Sequence, residues 1–486
     1  MILFRNFFAT CSLVLLFIIA ACSDTSSDDG PDTDPDGDGE VNVPEQNLKR
    51  AMELTDATVA AHFTGDGMAM ARFYNPYTGA RSDEKGSVWM YTAGIEAVNA
   101  ILHGLQAQKD DGNSALYDAN FSKYKDLLSN LYENADFYKG TFQLTSYTQT
   151  KSWSVYGVDR GGAKGSAQVD GIHNVYDDQM WFVREMIEAY KLTGEQKYLD
   201  KAEYLTEYVL DGWDCTLDAN GAEVGGITWG PGYVTKHSCS NGPMVSPLVW
   251  LHEVYKGKAD VITRRYIDAT DKQTRLTEEV KKSDYYLDFA KKIYAWQKKA
   301  LVRSSEGVYD DFMGGCTPGG PETESVGGGT YRKGIVCKDR VGPAYSYNSG
   351  SMLSGAADLY RVTTDNAYLE DAKKLSDDSF KYFAKLDQTK TGYYTYDIGG
   401  FSTWFNGVLL RAFTETAPQY ATAGTYAESF QKNLDYGYDN FAYKGFLPTN
   451  LLLGWNRDNS KNQAEGMFNF TYAAEYAVLA RYQLDK

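Results

Sequence analysis

From Glu45 onward, apolar side chains recur every three or four residues through stretches of roughly four to six turns, separated by Gly-, Asn- and Pro-rich loops. Two-residue alternation shows only briefly, around Thr141 to Thr148. The pattern predicts about twelve helices, over 45–63, 86–106, 116–139, 175–192, 196–211, 242–256, 283–301, 344–361, 366–384, 400–415, 419–435 and 463–483. This is an all-α chain. One stretch is echoed: Lys191-Leu192-Thr193-Gly194 followed by Tyr198-Leu199 and Ala202 returns as Arg361-Val362-Thr363-Thr364 followed by Tyr368-Leu369 and Ala372. The repeated unit is helix, tight turn, helix, and such a hairpin must bury its apolar face on neighbours. The spacing is too irregular for a standard open repeat, so six hairpins closing on themselves, an (α/α)6 barrel spanning 45–486, is the expected architecture. Alternate loops then meet at one end of the inner helical ring.

Before Glu45 the pattern changes. Arg5, the apolar run Leu13 to Ile19 and Ile19-Ala20-Ala21-Cys22 resemble a bacterial lipoprotein signal, with 1–21 removed and Cys22 lipidated. The competing reading, a transmembrane anchor, is disfavoured by the short run and the small residues before the cysteine. Residues 22–44 mix Ser, Asp, Gly and Pro without apolar period, which predicts a disordered tether. Of the net charge of −17, eight acidic residues fall between Ser23 and Glu40. An acidic tract after the lipidated cysteine resembles the surface-export signal of Bacteroidota lipoproteins, so the expected location is the outer membrane facing outward, with the periplasmic face as the alternative. Contact with the membrane is expected through the lipid only, and the chain is read as a monomer. No Lys/Arg stripe that would follow a nucleic-acid backbone accompanies the pI of about 4.8. Nucleic acid is therefore not an expected partner, and a polyanionic substrate is disfavoured.

The chemistry concentrates at Asp177-Asp178, which heads the helix expected over 175–192, with Phe182, Met186, Ala189 and Tyr190 as its apolar face. Helix first turns favour carboxylates for structural reasons alone. Two flanking carboxylates are also what glycosidic bond cleavage requires: retaining enzymes place them about 5 Å apart, one attacking the anomeric carbon and the other donating a proton. Mutual repulsion raises one pKa, and the helix N-terminus favours the ionised partner. The chain carries 38 Tyr and 9 Trp, crowded beside Gly in segments such as Trp229-Gly230-Pro231-Gly232-Tyr233 and Gly392-Tyr393-Tyr394-Thr395-Tyr396. Such rings stack on sugars or seal gaps between helices. Cys215, Cys239, Cys316 and Cys337 bracket two Gly-rich segments, and of the three pairings the local bridges Cys215–Cys239 and Cys316–Cys337 are favoured. His62, His103, His173, His237 and His252 are scattered and no zinc-type spacing exists, so no metal or other cofactor is expected. Nothing resembles a nucleophile elbow, P-loop or dinucleotide fingerprint.

The ordered set Tyr176-Asp177-Asp178-Gln179-Met180-Trp181, Thr193-Gly194, Tyr198-Leu199, Gly225-Gly226-Ile227-Thr228-Trp229, Gly307-Val308-Tyr309-Asp310, Tyr347-Asn348-Ser349-Gly350, Gly399-Gly400-Phe401 with Trp404, and Asn462-Gln463 with Gly466 resembles glycoside hydrolase family 76, the α-1,6-mannanases. The resemblance implies an (α/α)6 barrel that cleaves α-1,6-mannan with retention, in endo mode, needing no cofactor. It makes Asp177 the nucleophile and Asp178 the acid/base. Asp310 matches a further active-site carboxylate, with a loop-capping role as the alternative. Trp229, Tyr347, Asn348 and Trp404 match cleft positions, and Gln179 and Trp181 either touch substrate or support the carboxylates. The chain departs from the family pattern at Met180-Trp181-Phe182, at Ser349, and in the long segments Lys151 to Asn174 and Thr317 to Lys338. The alternatives are a surface protein that binds glycan without cleaving it, or another (α/α)6 enzyme such as an uronide hydrolase or polysaccharide lyase.

Overall fold

The computed structural model describes residues 42–486. The leader 1–21, Cys22 and the tether up to residue 41 lie outside the described residues. Twelve helices follow: α1 (Val43–His62), α2 (Val88–Asp110), α3 (Ala115–Ala135), α4 (Tyr176–Thr193), α5 (Gln196–Asp211), α6 (Val245–Tyr255), α7 (Lys282–Leu301), α8 (Ser346–Thr363), α9 (Asn366–Phe383), α10 (Ser402–Thr416), α11 (Ala421–Phe441) and α12 (Gly466–Leu484). Helix α1 starts inside the segment expected as tether. Asn42 accepts a hydrogen bond from the Glu45 amide, and Pro44 is tolerated in a first turn where no intrahelical donor is lost.

The even-numbered helices pack in the cyclic order α2, α4, α6, α8, α10, α12 and back to α2, while odd-numbered helices lie outside them, α1 closing the seam against α12 and α2. This is the (α/α)6 barrel. Two return turns carry the sequence echo. Thr193 Oγ1 donates to the Ala189 carbonyl and accepts from the Glu195 amide, and Thr363 Oγ1 does the same with Leu359 and Asp365. Each helix then ends on a left-handed residue, Gly194 at φ 67° and Thr364 at φ 57°.

The connections entering the inner helices, 63–87, 136–175, 212–244, 302–345, 384–401 and 442–465, are long and gather at the N-terminal end of the inner ring. They hold most of the small sheets, including the hairpin Lys139–Thr145 with Thr150–Tyr156, where alternation was expected. A second hairpin, Val261–Ile267 with Arg275–Lys281, joins α6 to α7 and was not expected. Its tip contacts the entering loops, where Lys272 Nζ donates to the Asp218 and Ala219 carbonyls. At the other end of the ring, the second halves of the inner helices enclose a cavity of about 860 Å³ lined by charged side chains, among them Glu188, Arg361, Arg411 and Glu415. Among the described residues, no helix is long and apolar enough to cross a membrane.

Cysteine pairing corrects the expectation at one of two sites. Cys316 and Cys337 are bonded, but Cys215 and Cys239 are free and buried. The loop that a Cys215–Cys239 bridge was expected to close is closed by other means. Trp213 pairs with Ile227 and Thr228 with Lys236, and the buried Lys236 ammonium reaches Asp214 at 2.9 Å.

Candidate active site

Asp177 and Asp178 stand in the first turn of α4, at the end where the entering loops converge. Val175 precedes the helix and offers no capping side chain, so the loop supplies the acceptor: the Tyr176 amide donates to the Trp229 carbonyl at 2.8 Å. That bond ties the carboxylate-bearing turn to the Gly-rich segment. Asp178 is only 6 % exposed. Burial pushes the Asp177 carboxyl up to about 6, opposed by the Cys239 thiol, the Trp229 indole N–H and the first-turn amides, all of which favour its charged form. Burial and then the charge of Asp177 drive the Asp178 carboxyl well above the usual range. Both carboxyls are thus raised, Asp178 further than Asp177, the order that suits a proton donor beside a nucleophile. Asp177 Oδ1 and Trp229 Nε1 have no full hydrogen bond within the protein.

A wall of stacked rings borders the pair. Tyr233 lies 4.8 Å from Trp229, Trp229 stacks on His237 at 5.0 Å, and His237 stacks on Phe312 at 4.6 Å. Residues 310 and 311 lead into the strand Phe312–Gly314, and their side chains have different partners. Asp310, the residue expected at the site, accepts from Arg303 Nε at 2.5 Å and from Arg340 Nε at 2.9 Å. Both of its oxygens are committed to holding the strand. Asp311 instead faces the pair: burial, the charge of Asp177 and that of Asp310 lift its carboxyl to about 6, opposed by the Asn348 side chain. Asn348 is buried with neither amide atom hydrogen-bonded, a group left ready for a hydroxyl.

The floor is aromatic. Trp404 meets Trp181 edge-on at 4.8 Å and Trp89 at 5.1 Å, and Tyr347 stacks on Phe405 at 4.2 Å. The Trp404 indole N–H donates to Glu96 at 3.1 Å. The structure thus gathers Asp177, Asp178, Trp229, Trp181, Tyr347, Asn348 and Trp404, and turns two expected site residues to support. Besides Asp310, Gln179 is fully buried, its Oε1 accepting from the Tyr156 amide at 3.0 Å and its Nε2 donating to the Tyr156 carbonyl at 2.7 Å. Asp311, Cys239, His237 and Glu96 are additions to the site. Only Asp311 left a sequence signal, the doublet Asp310-Asp311, and choosing between its members required their partners in the fold. Among the described residues, no cluster of His, Cys, Asp or Glu is arranged to hold a metal ion.

Residues 166–254 and 272–481 match the family model described as Glycosyl hydrolase family 76. The break between these blocks takes in the hairpin strand Val261–Ile267. No curated protein matches the sequence. Among solved structures, the glycoside hydrolase family 76 mannosidase of Bacteroides thetaiotaomicron VPI-5482 superposes with a TM-score of 0.66 at 20 % identity, covering 90 % of this chain and 99 % of that one. An inactive variant of the α-1,6-mannanase of Salegentibacter sp. HEL1_6, with two consecutive aspartates replaced by asparagine and in complex with α-1,6-mannotriose, gives 0.58 at 18 % identity, covering 90 % and 99 %. An unsaturated glucuronyl hydrolase specific for heparin gives 0.52 at 12 % identity, covering 92 % and 98 %. At these identities the likeness is one of fold.

Proposed function

The chain belongs to glycosyl hydrolase family 76, and from that membership we propose that it is an endo-acting α-1,6-mannanase that cleaves mannan backbones with retention of configuration. The observation that carries the mechanism is geometric: Asp177 and Asp178 share the first turn of α4 at the loop end of the barrel, where burial lifts both carboxyls and the charge of Asp177 lifts Asp178 further. Asp177 attacks the anomeric carbon as Asp178 gives its proton to the departing glycosidic oxygen, leaving a mannosyl ester on Asp177. Asp178, now a carboxylate, takes a proton from water; the water oxygen bonds to the anomeric carbon and the ester to Asp177 breaks, restoring both groups. Asn348 and Asp311 are placed to hold sugar hydroxyls, and Trp229 and Tyr233 to stack on a sugar face. The α-1,6-mannotriose bound by the Salegentibacter protein, and the loss of activity there when two consecutive aspartates are replaced, support this reading.

The test is product analysis on debranched α-1,6-mannan with the purified chain and its Asp177→Asn and Asp178→Asn variants. Oligosaccharides of several lengths are expected from the wild type, with release falling by at least about a thousandfold in Asp177→Asn. Binding without release points to a glycan-capture protein, and an active Asp177→Asn variant removes that residue as nucleophile. The proposed setting is the outer membrane, anchored at Cys22. Labelled palmitate should enter the wild type and not Cys22→Ala.

A further inference from the structure

Buried guanidinium groups are ordinarily paired, because removing an ion from water costs several kcal/mol even after relaxation. Arg332 is an exception beside the candidate active site. It is 4 % exposed, and among the described residues no carboxylate comes within ion-pair distance of it. Its Nε has no hydrogen-bond partner, its Nη2 donates to the Tyr233 carbonyl, and its guanidinium lies 5.6 Å from the centre of the Tyr147 ring.

What it grips gives it a role. Tyr233 ends the segment that begins at Trp229, and Trp229 does two things for the carboxylate pair. Its carbonyl accepts from the Tyr176 amide, anchoring the first turn of α4, and its indole N–H favours the charged form of Asp177. The segment is also fastened by Gly232 N–H to the Gly171 carbonyl at 3.1 Å, Trp229 N–H to the Thr235 carbonyl at 2.9 Å, the Thr228 hydroxyl to the Gly230 carbonyl at 2.9 Å and the Trp229 stack on His237, but of all these contacts only that of Arg332 comes from the disulfide-closed loop. Arg332 belongs to a different loop, the hairpin Thr323–Val326 with Gly329–Arg332. That hairpin sits inside the Cys316–Cys337 bridge, and the Arg332 amide donates to the Ser146 carbonyl at 2.9 Å. The inserted hairpin after α6 adds a second clasp: Arg275 lies 4.3 Å from the centre of the Tyr331 ring.

We propose that Arg332 is a positioning residue for the carboxylate pair, delivered by the disulfide-closed hairpin, which fixes the Trp229–Tyr233 segment and through it the helix turn bearing Asp177 and Asp178. The proposal rests on the mannanase reading for its kinetic consequence, whereas the tether itself has a structural readout that does not.

The experiment compares the full chain with Arg332→Met and Arg332→Lys, measuring kcat and KM on α-1,6-mannan and amide hydrogen exchange across the barrel. Arg332→Met is expected to lower kcat roughly tenfold with KM changed less than about twofold, because misplaced reacting groups lose rate rather than affinity. Exchange should quicken in peptides covering 174–180 and 229–235 while peptides from α12 stay as in the wild type. Lysine, which can still donate to the Tyr233 carbonyl, should bring kcat back to within about threefold of the wild type. The double variant Cys316→Ser, Cys337→Ser should shift kcat and exchange in the same direction, and adding Arg332→Met should lower kcat little further. Unchanged kcat and exchange in Arg332→Met would overturn the proposal. So would a loss that lysine does not repair and that comes with faster exchange throughout the barrel, since that is general destabilisation. If the wild type leaves mannan intact, the mannanase reading fails, and local quickening at 174–180 in Arg332→Met still upholds the tether, whereas its absence removes it.

Discussion

Asp177 and Asp178 are neighbours in sequence with carboxyls raised to different extents because their surroundings differ, Asp177 having amides, a thiol and an indole to hold its negative form and Asp178 having burial and then the repulsion of Asp177 against its own. Turnover needs the first ionised and the second protonated. The plot of kcat/KM against pH should therefore rise through about 6 as Asp177 ionises and fall at higher pH as Asp178 loses its proton; a flat profile between pH 5 and 8 would sink the assignment. The same shifts bear on stability. Both folded-state values lie above the unfolded value, so the native protein binds more protons than the unfolded chain, and stability declines as pH rises from about 4 through the folded values. Asp178→Asn should then be more stable than the wild type at pH 7 by about 1–3 kcal/mol, seen as a higher urea midpoint, with the gain vanishing near pH 3.5. The doublet at 310 and 311 separates support from chemistry in the same way. Asp310→Asn weakens two arginine contacts and should lower stability by about 1–3 kcal/mol. Asp311→Asn should raise the urea midpoint slightly at pH 7, because its carboxyl is also lifted to about 6, while lowering kcat/KM and moving the acidic limb downward by removing a charge that opposes Asp177. If the two variants exchange these phenotypes, the partners assigned to the two residues are wrong.

Among elements, all twelve helices were legible in the sequence, most to within four residues and the eleventh ending at Phe441 where 435 was expected, because apolar residues recur at helical spacing in each. The hairpin Val261–Ile267 with Arg275–Lys281 was not legible: Thr263, Arg264, Arg265, Glu278 and Glu279 put charge or hydroxyl on successive positions, so neither period emerges from the segment. The cysteines misled at Cys215 and Cys239 because loop closure can be met by an ion pair and two β-bridges as well as by sulfur. The echoed return turns show what the sequence records faithfully. Both use a threonine hydroxyl to fasten the last helical turn, and both need a left-handed residue next, which Gly194 provides without cost and Thr364, branched at Cβ, does not. Thr364→Gly should accordingly raise stability by about 1 kcal/mol, read from chemical denaturation. A loss of similar size would mean that the Thr364 hydroxyl, which donates to the Thr363 carbonyl at 2.7 Å, outweighs the backbone strain.

At the scale of the molecule, the barrel is layered along its axis: carboxylates at the loop end, then the aromatic floor, then an ionic layer that lines the charged cavity at the far end. The ionic layer is the part no sequence pattern announces, since Glu96, Arg184 and Arg411 sit among apolar residues of inner helices and read there as chance polar positions. In space they link three helices. Glu96 of α2 takes the indole N–H of Trp404 and pairs with Arg411 of α10, Arg184 of α4 pairs with Glu185 and reaches Glu415 of α10 at 3.3 Å, and Asn99 of α2 donates to Glu185 at 2.8 Å. Deleting one partner of such a network strands the other in a poorly solvated place, which costs about 3–5 kcal/mol, whereas deleting both partners removes the charge and the debt together. Arg411→Met should thus lower the unfolding free energy by about 3–5 kcal/mol, and adding Glu96→Gln should return a good part of it. The barrel floor makes a further demand on the same pair. Glu96→Gln keeps an acceptor for the Trp404 indole through its amide oxygen, so the double variant should restore stability and the tryptophan emission together, while Arg411→Met with Glu96→Ala should restore stability alone. Strict additivity of Arg411→Met and Glu96→Gln would show that the pair is not coupled, and identical emission in the two double variants would show that Glu96 does not hold the ring.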